Sequence, residues 1–269
     1  YSLYKVFGFG AHNNYTISHS SENGLIAFIA GPYVILYDIS LDKQVSYIKN
    51  VNNKIISCVT FSKSGKYLAT GEGNCKNGEV RIYEINYNKY NGEETHYSIL
   101  SYKNHKHGIE KLFFFKKDSY ILSIGNNDDK TMIIMDIYKK QIIFSSKFNR
   151  PILACATCDE FMILTGNGFI KLYNYEKLLE EIEKNSDLDT IKTHSLVSKK
   201  LVELSKLQDK IFIGAVIYEG EKEKKVFFIT YDCFLVELKS SFNILNRWVH
   251  LKSNSGISII NWGNLLGCG

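Results

Sequence analysis

The sequence predicts an all-β fold, a β-propeller of four-stranded antiparallel blades, on three observations. The 269 residues include 18 Tyr and 16 Phe but only 2 Pro, and 45% are hydrophobic, which favours many strands over disorder. Short apolar segments recur in one order: strand, Ser/Lys-Gly turn, strand, Gly, strand. The interval of roughly 40–55 residues is typical of a propeller blade. A β-sandwich is the main alternative, but it does not explain the repeated order of elements.

The first three repeat units each contain four predicted strands, listed here in chain order. They cover residues 15–19, 25–30, 33–38 and 45–49, then 55–61, 67–71, 79–85 and 97–102, then 109–115, 120–125, 131–137 and 141–147. A single four-stranded blade cannot bury its own faces, so successive blades are expected to stack about an axis.

The later units are less regular. The fourth starts with strands at 152–157, 161–166 and 169–173, the fifth has 201–207, 211–217, 226–231 with 234–238, and 245–251, and a sixth opens with 256–262 and 265–269. The predicted blades are 5–50, 51–103, 104–148, 149–198, 199–252 and a partial 253–269. About five and a half blades are thus expected, as part of a seven-bladed propeller. We expect the natural chain to continue, or another element to cover the open edge.

One segment departs from the strand pattern. Residues 175–184 place Tyr175, Leu178, Leu179 and Ile182 at helical spacing, with Glu and Lys opposite. This predicts an amphipathic helix between the third and fourth strands of the fourth blade, ended by residues 185–189. Packing of its apolar stripe on the blade is favoured over a partner-docking role.

The ends of the third strands carry a recurring dipeptide: Tyr37-Asp38, Tyr83-Glu84, Met135-Asp136 and Tyr173-Asn174. These are the positions of the Trp-Asp pair that names WD40 repeats, so a WD40-type propeller is predicted, with Trp replaced every time.

In WD40 repeats a His, a Ser or Thr, an Asp and the Trp form a buried hydrogen-bond network. The third unit comes nearest to it, with His105, Ser123 and either Asp128 or Asp129. Because Met135 has no donor, the network is expected to be broken, with packing contributing more than buried hydrogen bonds.

The chain resembles the mitogen-activated-protein-kinase-binding WD-repeat family, at its N-terminal propeller. The resemblance is carried by residues 21–38, 61–72 with 80–83, 105–109, 165–173, and 228–230 with 245–252. A ciliary axonemal WD-repeat family shares the pattern of the first four blades. The segment around Trp248 is not part of a generic WD repeat, and it favours the kinase-binding family, which includes a JNK-binding scaffold and a spindle-pole relative linked to microcephaly.

The resemblance implies a non-catalytic protein-protein interaction scaffold, part of a longer protein. Implied partners are kinases or cytoskeletal and spindle proteins, and the implied location is cytoplasmic, at the centrosome, spindle or cytoskeleton. An axonemal structural protein is the first alternative. A propeller enzyme is the second, but it would need acid/base or metal-ligand side chains repeating on successive blades, and none repeat.

Composition and motifs exclude several function classes. The net charge of +5 comes almost entirely from Lys, with Arg only at Arg81, Arg150 and Arg247, so no specific nucleic-acid partner is expected. No cofactor or metal is expected, since no hydrolase elbow, zinc-protease, nucleotide-loop or calcium-loop motif occurs. No apolar run is long enough to span a membrane. The pair Cys155 and Cys158 forms an isolated CxxC, for which a strand and its turn are favoured over a zinc or redox site.

The candidate protein-binding residues come from loops expected to line one rim of the propeller. These loops cover residues 73–78, 105–108 and 126–130, and the residues selected are His105, His107, Gly73, Asn74, Lys76, Asn127, Asp128 and Lys130. For His105 a blade-stabilising role is favoured over catalysis.

Overall fold

The computed structural model describes residues 8, 10, 13–88, 90, 93–184, 199–201, 204–219, 224–238, 245–252, 259–262 and 265–268. Across them the chain forms five four-stranded antiparallel sheets and one two-stranded sheet. The prediction of an all-β fold built from about five and a half WD40-type blades is confirmed. The chain divides into two compact units, Tyr1–Lys147 and Phe148–Gly269.

The first unit contains three blades, each with its strands hydrogen-bonded in chain order. Blade one is β1 (Ile17–Ser20), β2 (Leu25–Ala30), β3 (Tyr33–Asp38) and β4 (Lys43–Lys49); blade two is β5 (Ile56–Phe61), β6 (Tyr67–Glu72), β7 (Gly78–Asn88) and β8 (Glu93–His105); blade three is β9 (Ile109–Phe115), β10 (Tyr120–Gly125), β11 (Thr131–Asp136) and β12 (Gln141–Lys147). The bounds follow the predicted strands closely, except that β7 and β8 extend into a longer hairpin.

A register shift recurs between the third and fourth strands of these blades. It falls between Leu36 and Tyr37, between Ile82 and Tyr83, and between Ile134 and Met135. Such a bulge adds a residue to one strand and increases the local twist. It lies directly before the repeat's Trp position each time, so the blades share one backbone pattern although their side chains differ.

The first unit is stabilised by packing between successive blades. Strand β5 contacts β1, β2 and β9. One buried apolar cluster, which includes Leu25 and Leu68, joins blades one and two, and a second, which includes Ile82 and Leu112, joins blades two and three. Each fully buried aliphatic side chain contributes about 1.5–3 kcal/mol. This packing holds the ends of the three blades in fixed positions.

The second unit contains two further blades and a two-stranded sheet. Blade four is β13 (Ala154–Thr157), β14 (Phe161–Gly166), β15 (Phe169–Asn174) and β16 (Lys199–Leu201), with helix α1 (Tyr175–Lys184) between the last two; blade five is β17 (Phe212–Glu219), β18 (Lys224–Thr230), β19 (Phe234–Leu238) and β20 (Leu245–His250); the last sheet is β21 (Ile259–Trp262) and β22 (Leu265–Cys268). No helix in the described part of the chain is long and apolar enough to cross a membrane.

Helix α1 confirms the predicted insertion. It begins after Asn174, whose side-chain Oδ1 accepts a hydrogen bond from the Lys177 amide at 3.1 Å and so caps the first turn. Tyr175 and Leu178 are fully buried, whereas Glu176 is exposed. Tyr175 and Leu178, the first two members of the predicted apolar stripe, therefore pack into the protein interior, and Leu179 is half-buried. The predicted terminating residues 185–189 lie outside the described residues.

The predicted first strand of the fifth blade, at residues 201–207, is wrong. Lys199–Leu201 is β16, which pairs with β15 and completes blade four beyond the predicted boundary at residue 198. Blade five instead begins at Phe212, and the strand predicted as its second is its first.

The reason for this error lies in the spacing of the apolar residues. Ser205–Leu207 forms a short 3₁₀ helix. Leu204 and Leu207 are both buried, and a separation of three residues places side chains on one side of a helical turn but on opposite faces of a strand.

Candidate functional site

Four segments lie against one another at one end of blades one to three, and we call this surface the loop face: residues 50–55, 73–77, 105–108 and 126–130. In an antiparallel blade, the connection between strands two and three and the connection to the next blade emerge at the same end. Backbone hydrogen bonds join the segments: Gly73 N to Ile55 O at 3.0 Å, Asn77 N to Lys106 O at 3.0 Å, and Asn126 N to Gly108 O at 2.8 Å. The structure thus brings the three predicted loops together and adds residues 50–55, which were not among the selected candidates.

Two of the segments approach so closely that a glycine is required between them. A Cβ atom on Gly108 would lie 2.5 Å from the backbone nitrogen of Asn74. Any other residue at position 108 would push the segments 73–77 and 105–108 apart. The loop face is therefore one continuous surface rather than a set of independent loops.

The predicted candidate residues do not all reach the surface. Asn74, Lys76, His107, Asn127 and Asp128 are exposed, and Lys130 is half-buried. Gly73 and His105 are buried. The last two therefore lie beneath the exposed surface of the loop face.

A buried network of polar side chains lies under the loop face. The Tyr102 hydroxyl donates to Ser123 Oγ at 3.1 Å, and Ser123 Oγ lies 2.8 Å from His105 Nε2. His105 Nδ1 in turn lies 3.5 Å from Asp129 Oδ1. His105 Nδ1 has no hydrogen-bond partner among the described residues, so its approach to Asp129 is a close contact rather than a hydrogen bond.

The expectation of a broken network is met at one link and not at another: His105 Nδ1 has no hydrogen-bond partner among the described residues, but the missing Trp donor is replaced. Met135 has no donor, as predicted, but Tyr102 on β8 of the preceding blade supplies the hydroxyl that reaches Ser123. The open choice between two aspartates is also decided. Asp129 is buried in the network, whereas Asp128 is exposed in the turn.

Asp129 holds two of the segments in place. Its Oδ2 accepts a hydrogen bond from the His107 amide at 3.0 Å, and its Oδ1 accepts one from the Thr131 amide at 3.1 Å. Burial alone would raise the pKa of Asp129, but the adjacent His105 imidazole and the hydrogen bonds from His107 and Thr131 outweigh it and hold the pKa well below its usual range. The carboxylate is therefore ionised and links segments 105–108 and 126–130.

The order Ser123, His105, Asp129 resembles that of a hydrolytic triad, but the geometry does not support catalysis. Ser123 is 0% exposed, His105 1% and Asp129 3%. The serine oxygen already lies between the Tyr102 hydroxyl and the imidazole. A substrate carbonyl has no access to the serine, so the set is structural.

A second buried group lies beneath segments 50–55 and 73–77. Glu72 is 3% exposed, and its Oε1 accepts hydrogen bonds from Asn50 Nδ2 at 3.1 Å and Asn52 Nδ2 at 2.6 Å. Its Oε2 lies 3.1 Å from Lys54 Nζ. Burial by itself would raise the pKa of Glu72. The hydrogen bonds from Asn52, Lys54 and Asn50 outweigh this effect and lower the pKa below its usual value.

Glu79 is the second buried carboxylate of this group. Its Oε2 accepts a hydrogen bond from Asn52 Nδ2 at 2.7 Å and lies 3.3 Å from Lys103 Nζ, while its Oε1 pairs with Arg81. Burial opposes ionisation, but the Asn52 hydrogen bond and the Arg81 charge lower the pKa of Glu79 overall. Asn52 thus bridges two ionised carboxylates, and sequence reasoning missed this group because its members come from four separate segments.

The CxxC pair takes the favoured structural role. Cys155 is buried on β13, and the Cys158 thiol donates to the carbonyl of Phe161 at 3.5 Å. Burial raises the pKa of Cys158, whereas a reactive thiolate needs a lowered one. Within the described ranges, no three His, Cys, Asp or Glu side chains are grouped so as to hold a metal ion.

Comparison with known proteins gives three informative relatives. WD repeat-containing protein 62 of Sus scrofa is 24% identical over 270 residues, which is 100% of this chain and 16% of that protein. Mitogen-activated protein kinase-binding protein 1 of Mus musculus is 25% identical over 254 residues, 94% of this chain and 16% of that protein. Cilia- and flagella-associated protein 52 of Mus musculus is 29% identical over 182 residues, 65% of this chain and 28% of that protein.

The chain resembles WD-repeat proteins. This confirms the resemblance to the kinase-binding WD-repeat family that the motifs indicated. No family model matches the chain. The chain spans about a sixth of the length of the first relatives it matches. Trp248, which the resemblance singled out, lies on β20, the outer strand of blade five, and is 41% exposed.

Proposed function

We propose that this WD-repeat chain is a non-catalytic protein-interaction scaffold that binds a partner through the loop face. The observation that carries the proposal is the continuity of the surface: four segments from three blades are joined by backbone hydrogen bonds and held by the buried carboxylates of Glu72, Glu79 and Asp129. A surface fixed before binding loses little conformational entropy when a partner docks.

We further propose a partner from a kinase cascade, in a cytoplasmic setting at the cytoskeleton or spindle. The support is the name of mitogen-activated protein kinase-binding protein 1 and its alignment over 94% of this chain. An axonemal role is the second candidate, supported by cilia- and flagella-associated protein 52, which aligns over 65% of the chain. Association with purified axonemes rather than with a kinase would favour the second candidate.

The test is affinity purification of the full-length protein from its own cells, followed by lysine crosslinking. Partner crosslinks are expected at Lys76, Lys106 and Lys130. The double variant Lys76→Glu/Lys106→Glu should weaken partner binding at least tenfold, because a combined loss of about 1.4 kcal/mol from the two lysine contacts is already a factor of ten.

A matched control reverses two lysines at the opposite end of blade three, Lys139→Glu/Lys140→Glu. Both are exposed in the turn between β11 and β12, so partner recovery should not change. Partner crosslinks confined to Lys177 on α1 would instead assign docking to the helix and contradict the loop-face proposal.

A further inference from the structure

The loop face separates its charges by depth. The acidic side chains beneath it are buried, and their oxygens are occupied by asparagine, lysine, arginine and backbone donors. The exposed charges are mainly cationic: Lys76 and Lys106 are exposed, and Lys130 is half-buried. Asp128 is the single exposed acidic residue in the described residues of the four segments. A partner that approaches the loop face therefore meets positive charge first.

Two apolar side chains are exposed on the neighbouring segment 50–55 of the loop face. Val51 is 70% exposed and Ile55 is 54% exposed, on the segment whose Asn50, Asn52 and Lys54 side chains bond to Glu72. Ile55 O accepts the hydrogen bond from Gly73 N, and Lys54 Nζ donates to Lys76 O at 3.3 Å. The apolar pair and the lysines are consequently held on one surface, and two exposed aliphatic residues on a rigid loop provide area to bury on binding.

We propose that the occupant of the loop face is a peptide segment that combines carboxylate side chains with aliphatic ones. This inference rests on the proposed function and specifies the chemistry of its partner. The carboxylates pair with Lys76 and Lys106, and the aliphatic side chains cover Val51 and Ile55. The exposed side-chain amides of Asn74 and Asn127 can donate hydrogen bonds to the peptide backbone and accept hydrogen bonds from it. Such bonds fix the position of the peptide along the surface but do not select particular side chains.

The experiment selects a random dodecapeptide display library on the full chain. Peptides enriched on the wild-type protein should carry net negative charge and aliphatic residues. On Lys76→Glu/Lys106→Glu the enriched peptides should become neutral or basic, and the wild-type peptides should bind at least tenfold more weakly. On Val51→Ser/Ile55→Ser, the acidic residues should persist but the aliphatic preference should be lost.

The control Lys139→Glu/Lys140→Glu should enrich the same peptides as the wild-type protein, and circular dichroism should confirm that each variant is folded. Peptides that depend on the loop face but carry no acidic preference would overturn this inference and leave the proposed function standing. Enriched peptides whose binding is unchanged in both loop-face variants would overturn the proposed function as well. Single-stranded DNA that binds the loop face more tightly than any peptide would assign a nucleic-acid partner and also contradict the inference.

Discussion

Tyr102 shows how a substituted repeat residue is compensated at the residue scale. The hydroxyl comes from β8, the outer strand of the blade before the one it stabilises. His105, Ser123 and the aspartates stand at repeat positions and could be selected from sequence. Tyr102 occupies no repeat position, so only the packing of one blade on the next reveals its role.

Replacing Tyr102 by Phe removes this donor without changing the packed ring. We expect Tyr102→Phe to lower the free energy of unfolding by about 1 kcal/mol, the usual value of a buried neutral hydrogen bond. Urea denaturation measures this change in the free energy of unfolding. Tyr97→Phe is the matched control, because the Tyr97 hydroxyl pairs with Glu84 at an exposed position, and it should change stability by less than about 0.5 kcal/mol. Equal effects of the two variants would contradict the role of Tyr102.

The ionised Asp129 predicts a dependence of stability on acid. Its folded pKa is lowered from the ordinary value of 3.8, so its contribution is complete above that pH and is lost as the pH falls below it. We expect Asp129→Asn to lower the free energy of unfolding by about 2 kcal/mol at neutral pH. Between about pH 5 and about pH 2.5 the variant should lose less stability than the wild-type protein.

Urea denaturation across this pH range provides the check. Asp128→Asn is the control, because Asp128 is an exposed neighbour in the same turn. It should keep the wild-type pH dependence. An Asp129→Asn protein with an unaltered acid slope would show that the carboxylate is not ionised in the fold.

At the scale of elements, one turn of blade three caps a turn of blade two. Asp118 Oδ1 accepts the Lys63 amide at 3.0 Å, and Oδ2 accepts the Ser64 amide at 3.1 Å. Asp118 and the two residues before it, Lys116 and Lys117, all have φ between 51° and 62°. Three successive non-glycine residues in this left-handed region are unfavourable, so the surrounding contacts must hold the turn in place.

Removing the Asp118 carboxylate tests this link between blades. We expect Asp118→Ala to lower the free energy of unfolding by about 2 kcal/mol, because two backbone donors lose a charged acceptor. Asp128→Ala, at an exposed turn of the same blade, should cost less than about 0.5 kcal/mol. Hydrogen exchange of the Lys63 and Ser64 amides should quicken in Asp118→Ala only, and unchanged protection there would count against the link.

At the scale of the whole molecule, stability comes from apolar clusters shared by neighbouring blades rather than from any blade alone. Leu68 on β6 is fully buried in the cluster that joins blades one and two. No single blade could bury such a side chain, because a four-stranded sheet exposes both of its faces.

Truncating a shared core residue should therefore weaken the whole of the first unit. We expect Leu68→Ala to lower the free energy of unfolding by about 2–5 kcal/mol, measured by hydrogen exchange at the slowest amides of β6. Leu41→Ala is the control, since Leu41 is 43% exposed in the turn between β3 and β4, and it should cost less than about 0.5 kcal/mol. Loss of protection restricted to blade two would contradict a shared core.

The sequence alone determined the repeat, nearly all strand positions, the helix at 175–184 and three of the four segments of the loop face. These features depend on the local spacing of hydrophobic residues and on turn residues, and both can be read from positions that are close together in the chain. The error at residues 201–207 has the same origin, since a short apolar segment with mixed spacing is compatible with either a strand or a turn of helix.

Only the tertiary structure decided which side chains meet beneath the loop face. Tyr102 reaches Ser123 from the previous blade, and Asn52 bridges Glu72 and Glu79 across segments about 20–27 residues apart. Polar partners of buried groups are chosen by proximity after the blades pack, and periodicity carries no information about them. For this reason the sequence located the surface, whereas the structure showed that Glu72, Glu79 and Asp129 are buried with hydrogen-bonded carboxylates and that exposed lysines and aliphatic residues lie above them.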